Sequence, residues 1–554
     1  MVQDIAELRD ALLAAELPLP LPLSGEAAAT RDEAVAQIED YLLPRLAQVD
    51  APLLAVLGGS TGSGKSTLTN SLVGQEVSPS GVLRPTTRQP VLIHHPSDVA
   101  WFAGDGVLPD VPRSTGERGT GYGLHLISSS SLTPGLRLLD SPDIDSVEGA
   151  NHELATQLLG AADLWLFVTT AARYADAVPW QYLARASERA AAMALIINRI
   201  PPTPDGSARK DITADVRRML DDNGLQHAEL FAIEETPLTD GRLGTAIEPV
   251  RNWILQLVAD AEARADIIRR TVDGAVASLR PRTERVVAAM DEQRLAAASL
   301  EETSWVHSRA ATRQVATQLG SGVLLRGEVL DRFREQVGTA EWMDRLQRGV
   351  GQLRDRLASW ITGEQPEVEA AKGKLRDNLV GLIDDAIATS IEQTMQDWTM
   401  MPGGRTLLDV GTQDLMGAAQ VDRIEESVAQ WQDEVVAMVR ERAGSKLAMA
   451  RGLSLGVNGV GVTLMMALFA STGGLTGGEV AIAGGSAAVS QALLSAVLGE
   501  QAVRDLAASA RHALLDRVET LTGQQHALLL DRLDQLPGDA QIETLQDAID
   551  KVTT

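Results

Sequence analysis

The chain of 554 residues contains no cysteine, which excludes a disulfide framework and a Cys-ligated zinc site. Aromatic residues make up only 3% of it, and alanine, the best helix former, is abundant. Basic residues are few: 49 Lys and Arg stand against 75 Asp and Glu, and the net charge is −26. This charge opposes binding to nucleic acid and simple adhesion to anionic lipid. Any membrane contact must therefore be hydrophobic or local.

The first 30 residues lack the basic segment and apolar core of a secretory signal, and they carry acidic groups at Asp4, Glu7 and Asp10. Together with the absence of cysteine, this predicts a cytoplasmic protein. The chain is too long for one hydrophobic core, since domains usually hold roughly 100 to 200 residues. We therefore expect two or three domains.

Short apolar runs alternate with helical stretches over residues 51–249, which predicts an α/β domain with a mostly parallel sheet and flanking helices. Residues 1–50 are predicted to form N-terminal helices, with an extended Leu-Pro segment over 17–23. The predicted strands cover residues 53–57, 91–94, 136–139, 164–169, 194–197 and 230–233.

Beyond residue 250 the strand signals stop, and apolar residues recur at spacings of three and four. This pattern predicts a long all-α stalk over residues 250–452 and a returning stalk helix over 500–554. Breaks between the helices are expected at Pro281 and near residues 363–366 and 402–404.

Residues 453–499 are predicted to form an apolar helical hairpin, because Glu479 is the one charged residue between Arg451 and Glu500. Residues 453–471 would form a helix of roughly 28 Å at about 1.5 Å per residue, close to the roughly 30 Å hydrocarbon core of a bilayer. Basic residues precede the hairpin and none lies in its turn, so both ends are expected in the cytoplasm. A buried pair of helices within the α-domain is the alternative, because Gly, Ser and Ala dilute the hydrophobicity.

Residues 59–66 read G-S-T-G-S-G-K-S, which matches the phosphate-binding pattern G-x-x-x-x-G-K-S between a predicted strand and a predicted helix. The glycines let the backbone N–H groups face the phosphates, and Lys65 is expected to reach the β- and γ-phosphates. Ser66 is expected to ligate Mg²⁺, and Thr67 offers a further phosphate hydrogen bond. The predicted nucleotide-binding residues here are Gly59, Ser60, Thr61, Gly62, Ser63, Gly64, Lys65, Ser66 and Thr67.

Three further residues complete the predicted nucleotide site. Thr86 or Thr87, in the loop after the predicted P-loop helix, would sense the γ-phosphate through the metal. Asp140, at the end of the strand over 136–139, would hold the Mg²⁺ shell, and Asn198, directly after the strand over 194–197, would contact the base.

The motifs of this region resemble those of the bacterial dynamin-like GTPases, of the actinobacterial type. Residues 87–90 read T-R-Q-P, similar to the switch I pattern T-R-x-P, which favours Thr87 over Thr86. Residues 140–143 read D-S-P-D, similar to the D-x-P-G of switch II, with Asp143 where Gly is usual. Asn198 is the residue retained from the N/T-K-x-D base motif.

The resemblance implies an enzyme that hydrolyses GTP with Mg²⁺, with Lys65, Thr87 and Asp140 as catalytic residues and Ser66, Thr87 and Asp140 around the metal. It also implies self-association through the GTPase domain and stalk, and membrane binding and remodelling through the hairpin, at the inner face of the cell membrane. A soluble regulatory P-loop protein that acts through a protein partner stays open as an alternative, as does the use of ATP.

Overall fold

The computed structural model describes residues 1–48, 51–79, 89–102, 108, 111–116, 123–143, 149–188, 192–259, 261–320, 366–408, 418–447 and 500–553. Thr86, Thr87 and the predicted hairpin over 453–499 lie outside these residues. Contacts divide the chain into two compact units. The first comprises Met1–Leu17, Pro22–Glu292 and Pro537–Thr554, and the second comprises Pro18–Leu21 and Gln293–Leu536.

The first unit is built on an eight-stranded sheet in the order β3-β4-β2-β5-β1-β6-β7-β8. Neighbouring strands are parallel except β2 and β5, which are antiparallel. All seven residues of the central strand β1 are buried. The strands are β1 (Leu53–Gly59), β2 (Val91–His94), β3 (Arg113–Ser114), β4 (Leu124–Ser128), β5 (Leu136–Asp140), β6 (Leu164–Thr170), β7 (Ala192–Ile200) and β8 (Glu229–Glu234).

Apolar helix faces cover both sides of this sheet and form two separate cores with its alternating side chains. The helices of the sheet region are α4 (Lys65–Val73), α5 (Gly149–Gly160), α6 (Ala177–Glu188), α7 (Ser207–Asp222) and α8 (Glu248–Ala259). The predicted α/β fold with a mostly parallel sheet is thereby confirmed. The six predicted strands are present, and β3 and β4 are additional, because their short segments include polar residues such as His125 and lack a continuous apolar run.

A helical layer also belongs to the first unit. It contains α1 (Val2–Leu13), α2 (Ser24–Gln37), a π-helical turn (Ile38–Leu42) and α3 (Leu43–Ala47), which pack with the first part of α9 (Ala261–Gly320) and with α14 (Asp539–Thr553). The sequence predicts a break at Pro281, but α9 continues through it, so that prediction is wrong. Leu279 and Val286 on either side of Pro281 are fully buried in one apolar cluster, and this burial offsets the hydrogen bond that proline removes.

The secondary structure described in the second unit is helical. It contains the rest of α9 with α10 (Pro366–Met400), α11 (Gly404–Leu408), α12 (Ala418–Leu447) and α13 (Glu500–Leu530). The indoles of Trp398 and Trp431 are fully buried, and they donate hydrogen bonds to the carbonyl oxygens of Leu300 (3.0 Å) and Ala510 (2.8 Å). Each tryptophan thus ties two long helices together.

Helices occupy this region as predicted wherever the structure describes it, whereas the break expected near 363–366 falls largely outside the described residues. The break near 402–404 lies between α10 and α11, and the apolar stripe predicted for the returning helix is buried along α13. The segment predicted as one helix over 500–554 contains two, α13 and α14, with the helix-stopping pair Pro537-Gly538 just before α14. The domain limits at 250 and 453 stay predictions. Among the described helices, none is long and apolar enough to cross a membrane.

Candidate nucleotide-binding site

The predicted P-loop connects the central strand β1 to α4, at the carboxyl edge of the parallel strands. Two of its positions require glycine. A Cβ at Gly59 would lie 2.2 Å from the carbonyl oxygen of Val168 on β6, and a Cβ at Gly64, where φ is +96°, would lie 2.4 Å from Nδ2 of Asn198. Ser60, Thr61, Gly62 and Ser63 form the turn between them, and Ser66 and Thr67 lie in the first turn of α4. The sequence therefore folds here into the cradle that its motif predicts.

The ammonium group of Lys65 lies inside this cradle, and the side chain is only 5% exposed. It donates hydrogen bonds to the carbonyl oxygens of Gly59 (2.8 Å) and Ser60 (3.4 Å) and pairs with Oδ1 of Asp143 at 2.5 Å. The lysine is thus held against the loop by the loop's own backbone.

Several features of the cradle suit an anion. The N–H groups in the first turn of an α-helix have no intrahelical partner, and the helix dipole adds positive potential at that end of α4. The buried hydroxyl of Ser63 has no hydrogen-bond partner among the described residues. With the ammonium of Lys65 beside these groups, the site can hold phosphate oxygens by backbone, hydroxyl and charge.

Asp140, the last residue of β5, is completely buried. Its Oδ2 accepts a hydrogen bond of 2.6 Å from the hydroxyl of Ser78. Ser78 is itself held by Asn70 on α4, whose side chain accepts from the N–H of Ser78 (2.8 Å) and donates to its carbonyl oxygen (2.7 Å). Ser78 and Asn70 are thus positioning residues that sequence reasoning missed, because nothing in the local pattern links them to Asp140.

The residues here fit a Mg²⁺ ion that accompanies a nucleotide. Mg²⁺ prefers oxygen donors and is usually held by one or two protein groups together with phosphate oxygens. Asp140 supplies a carboxylate and Ser66 a hydroxyl, whereas Thr87, the third predicted ligand, lies outside the described residues. Within the part of the chain that the structure describes, no cluster of three His, Asp or Glu side chains forms a metal site by itself.

Asn198 lies near the end of β7, which follows β6 in the sheet, and is 4% exposed. Its side-chain amide donates to the carbonyl oxygen of Ser63 at 3.0 Å, and its Oδ1 accepts from the N–H of Arg199 at 2.9 Å. The structure therefore brings Asn198 to the P-loop. Its predicted contact with the base stays a prediction.

Asp143 is a further residue of the site that sequence reasoning did not select, although its departure from the D-x-P-G pattern was a signal. The segment after β5 is tied to β1, because both the N–H and the hydroxyl of Ser141 donate to the carbonyl oxygen of Leu57, at 3.3 and 2.6 Å. This attachment brings Asp143 over the P-loop, where it meets Lys65.

No protein-family model and no curated protein matches the sequence. Among solved structures, the chain is similar to a bacterial dynamin, an oligomerised pair said to provide a mechanism for long-range sensing and tethering of membranes; the TM-score is 0.41 and the identity 9%, over 99% of this chain and 94% of that chain. It is also similar to Era in complex with MgGDPNP and 16S ribosomal RNA, at a TM-score of 0.24 and 22% identity, over 37% of this chain and 56% of that chain. A third is Toc33 from Arabidopsis thaliana in complex with Mg²⁺ and GMPPNP, at a TM-score of 0.22 and 14% identity, over 42% of this chain and 93% of that chain. Identities and TM-scores of this size do not assign the chain to a family.

Proposed function

We propose that this chain is a Mg²⁺-dependent GTPase that couples nucleotide turnover to self-association and membrane remodelling, as its motifs resemble those of bacterial dynamin-like proteins. The observation that carries the nucleotide part is the position of Lys65 in a glycine cradle on the central strand, at the same sheet edge as Asp140 and Asn198. Parallel strands place the residues at their carboxyl ends beside one another, and this edge is where α/β proteins bind ligands.

Phosphoryl transfer asks little covalent chemistry of the protein, because positioning and charge stabilisation carry most of the catalysis. In this proposal Lys65, the P-loop N–H groups and Ser63 would hold the phosphates, and Ser66, Thr87 and Asp140 would hold Mg²⁺. The ion, when bound, neutralises charge that develops on the phosphate oxygens. Water is the attacking group, and no general base from the protein is required.

Guanine is the proposed base, on the resemblance of the switch motifs and the retained Asn198. The experiment is a competition between GTP and ATP for the purified chain in the presence of Mg²⁺, followed by hydrolysis assays. Lys65→Ala is expected to lower nucleotide affinity or turnover by roughly a hundredfold or more, because the cradle loses the ammonium charge that would bind phosphate oxygens. Lys210→Ala removes the same charge from an exposed position on α7 and serves as the control. Equal hydrolysis by the Lys65 variant and wild type would refute the assigned site, and a preference for ATP would refute the choice of base.

The membrane part of the proposal depends on residues 453–499, in which Glu479 is the one charged residue. Their length and the basic residues before them favour insertion from the cytoplasmic side, at the inner face of the membrane. Sedimentation with anionic and neutral liposomes tests it. The wild-type chain is expected to pellet with both, since the interaction is hydrophobic and the net charge of −26 opposes electrostatic adhesion. Replacement of 453–499 by a short Gly-Ser linker is expected to abolish pelleting. Pelleting that survives the replacement would refute membrane binding through 453–499, and a wild-type chain that never pellets would favour the soluble switch.

A further inference from the structure

The contact between Lys65 and Asp143 connects the P-loop to the segment after β5. An ammonium group has three N–H donors. In Lys65 all three face acceptors: the carbonyl oxygens of Gly59 and Ser60 and the carboxylate of Asp143, the closest of the three at 2.5 Å. A phosphate that binds Lys65 must therefore displace one of these acceptors.

Asp143 is the acceptor that a phosphate displaces most readily. The two carbonyl oxygens belong to the loop that carries the lysine, whereas Asp143 is a side chain of another segment and is 23% exposed. The carboxylate also has the same sign of charge as a phosphate, so the two groups repel each other when both approach one ammonium. Two anions and one cation in a partly buried site leave one anion without a partner.

The position of Asp143 is held by its neighbours. Ser141 is bonded to β1 through its N–H and its hydroxyl, and the ring of Pro142, the residue directly before Asp143, fixes the φ angle of that proline. The carboxylate is therefore presented to Lys65 by a segment that is anchored to β1 at Ser141.

We propose that Asp143 competes with the terminal phosphate of the nucleotide for Lys65 and so lowers the affinity for a nucleoside triphosphate relative to the diphosphate. The triphosphate carries more negative charge than the diphosphate, so the repulsion weighs more heavily on it. This makes Asp143 a residue that sets the ratio of triphosphate to diphosphate binding. The inference rests on the proposed function, because it assumes that a nucleotide binds in this cradle.

The test compares equilibrium binding of fluorescent GDP and of a non-hydrolysable fluorescent GTP analogue, in Mg²⁺, to wild type and to Asp143→Asn. The amide keeps the shape of the side chain and removes its charge. We expect the affinity for the triphosphate analogue to rise about tenfold, the effect of one such charge interaction at a partly exposed site, and the affinity for GDP to rise less. The ratio of the two affinities is the decisive readout, since a merely structural effect would change both alike.

Asp266→Asn is the matched control, because it removes the same charge from an exposed carboxylate on α9 that pairs with Arg269. Its affinity ratio is expected to equal that of wild type. A second variant, Asp143→Ser, is expected to change the ratio in the same direction as Asp143→Asn, and thermal unfolding without nucleotide checks that each variant is folded.

The inference and the proposed function fail in different ways. An unchanged ratio in folded Asp143→Asn, or weaker triphosphate binding, would overturn the role of Asp143 while wild type still binds nucleotide. A wild-type chain that binds neither nucleotide would overturn the proposed function, and the inference with it.

Discussion

The side-chain amide of Asn198 on β7 donates a hydrogen bond of 3.0 Å to the carbonyl oxygen of Ser63 in the P-loop, although 135 positions separate the two residues. The bond joins the loop on the central strand to a strand two places away in the sheet. A polar group that is buried without a partner costs about 1 to 3 kcal/mol, so this contact holds the cradle in place.

The first prediction concerns this bond. Asn198→Ala is expected to destabilise the first unit by about 1 to 2 kcal/mol, because the buried carbonyl oxygen of Ser63 loses its donor. Nucleotide affinity is expected to fall as well, since the loop is less well held. Chemical denaturation and nucleotide binding measure the two effects. If the variant were as stable as wild type and bound nucleotide as tightly, the bond would not support the cradle.

The second prediction uses two glycines at the ends of α4 with similar backbone conformations. Gly64 (φ +96°) and Gly74 (φ +81°) both adopt the left-handed region, where alanine costs about 1 to 2 kcal/mol. Only at Gly64 would a Cβ also meet Asn198, whereas at Gly74 nothing lies within 4 Å. Gly64→Ala is therefore expected to abolish nucleotide binding, and Gly74→Ala to retain it. Equal affinities in a binding titration would contradict the close packing at Gly64.

The third prediction concerns the hydroxyl of Ser78, which orients Asp140. Ser78→Ala is expected to raise the Mg²⁺ concentration needed for half-maximal hydrolysis several-fold, because partners that hold a ligating carboxylate typically contribute 10- to 100-fold to metal affinity. Ser71→Ala is the control, because that hydroxyl donates to the carbonyl oxygen of Thr67 and accepts from the N–H of Leu243, and neither partner is a carboxylate. A Mg²⁺ titration in which both variants match wild type would exclude the role of Ser78.

The fourth prediction concerns the fully buried pair of Arg45 and Asp163, which joins the helical layer to the start of β6. Asp163 also accepts from the hydroxyl of Tyr41 (3.0 Å) and the N–H of Leu54 (2.7 Å). Burial lowers the pKa of Arg45, which nevertheless stays an arginine cation at neutral pH. Asp163→Ala is expected to cost about 3 to 5 kcal/mol, because it leaves this charge buried without its partner.

The half-exposed carboxylate of Asp176, paired with Arg173, supplies the control for the fourth prediction. Asp176→Ala is expected to change stability by less than about 1 kcal/mol, as is usual for exposed ion pairs. Urea denaturation of the two variants makes the comparison. Similar small losses in both would mean that the buried network contributes little.

The fifth prediction concerns pH. His526 on α13 is fully buried between the hydroxyls of Ser304 (2.8 Å) and Ser390 (3.0 Å). Burial, with a smaller contribution from nearby His307, lowers its pKa from 6.5 to about 4. Well above pH 6.5 the imidazole is neutral in both the folded and the unfolded chain. Between pH 6.5 and 4 only the unfolded chain takes up the proton, so stability falls by up to about 3 kcal/mol.

Denaturation of the chain at pH 7 and pH 5 tests this, with unfolding of the all-helical unit as the signal. Between pH 7 and pH 5 the free energy of unfolding of wild type is expected to fall by about 2 kcal/mol because of His526. In His526→Gln it is expected to fall correspondingly less. His512→Gln, which replaces an exposed imidazole, is expected to keep the wild-type pH dependence. If the stability of His526→Gln depended on pH as strongly as that of wild type, the buried imidazole would be excluded as the source of this dependence.

The parts of the fold that the sequence predicted are those decided by local physics. A continuous apolar run such as 53–57 has to become a buried strand, and a glycine-rich turn before Lys65 has to curl around its own backbone. Two-residue β3 and half-polar β4 lack such a run, and they form because β2 offers an edge to pair with. Pro281 does not end α9, because the apolar residues before and after this proline are buried in one cluster.

The P-loop, its lysine and the candidate positions Asp140 and Asn198 were therefore predictable from the sequence alone, since each is a short motif at the end of a recognisable strand. What only the tertiary structure decided is which of these residues meet. Lys65 pairs with Asp143, Asn198 with Ser63 and Asp140 with Ser78 because the strand order places β5, β1, β6 and β7 side by side, and that order is set by packing between segments distant in the chain.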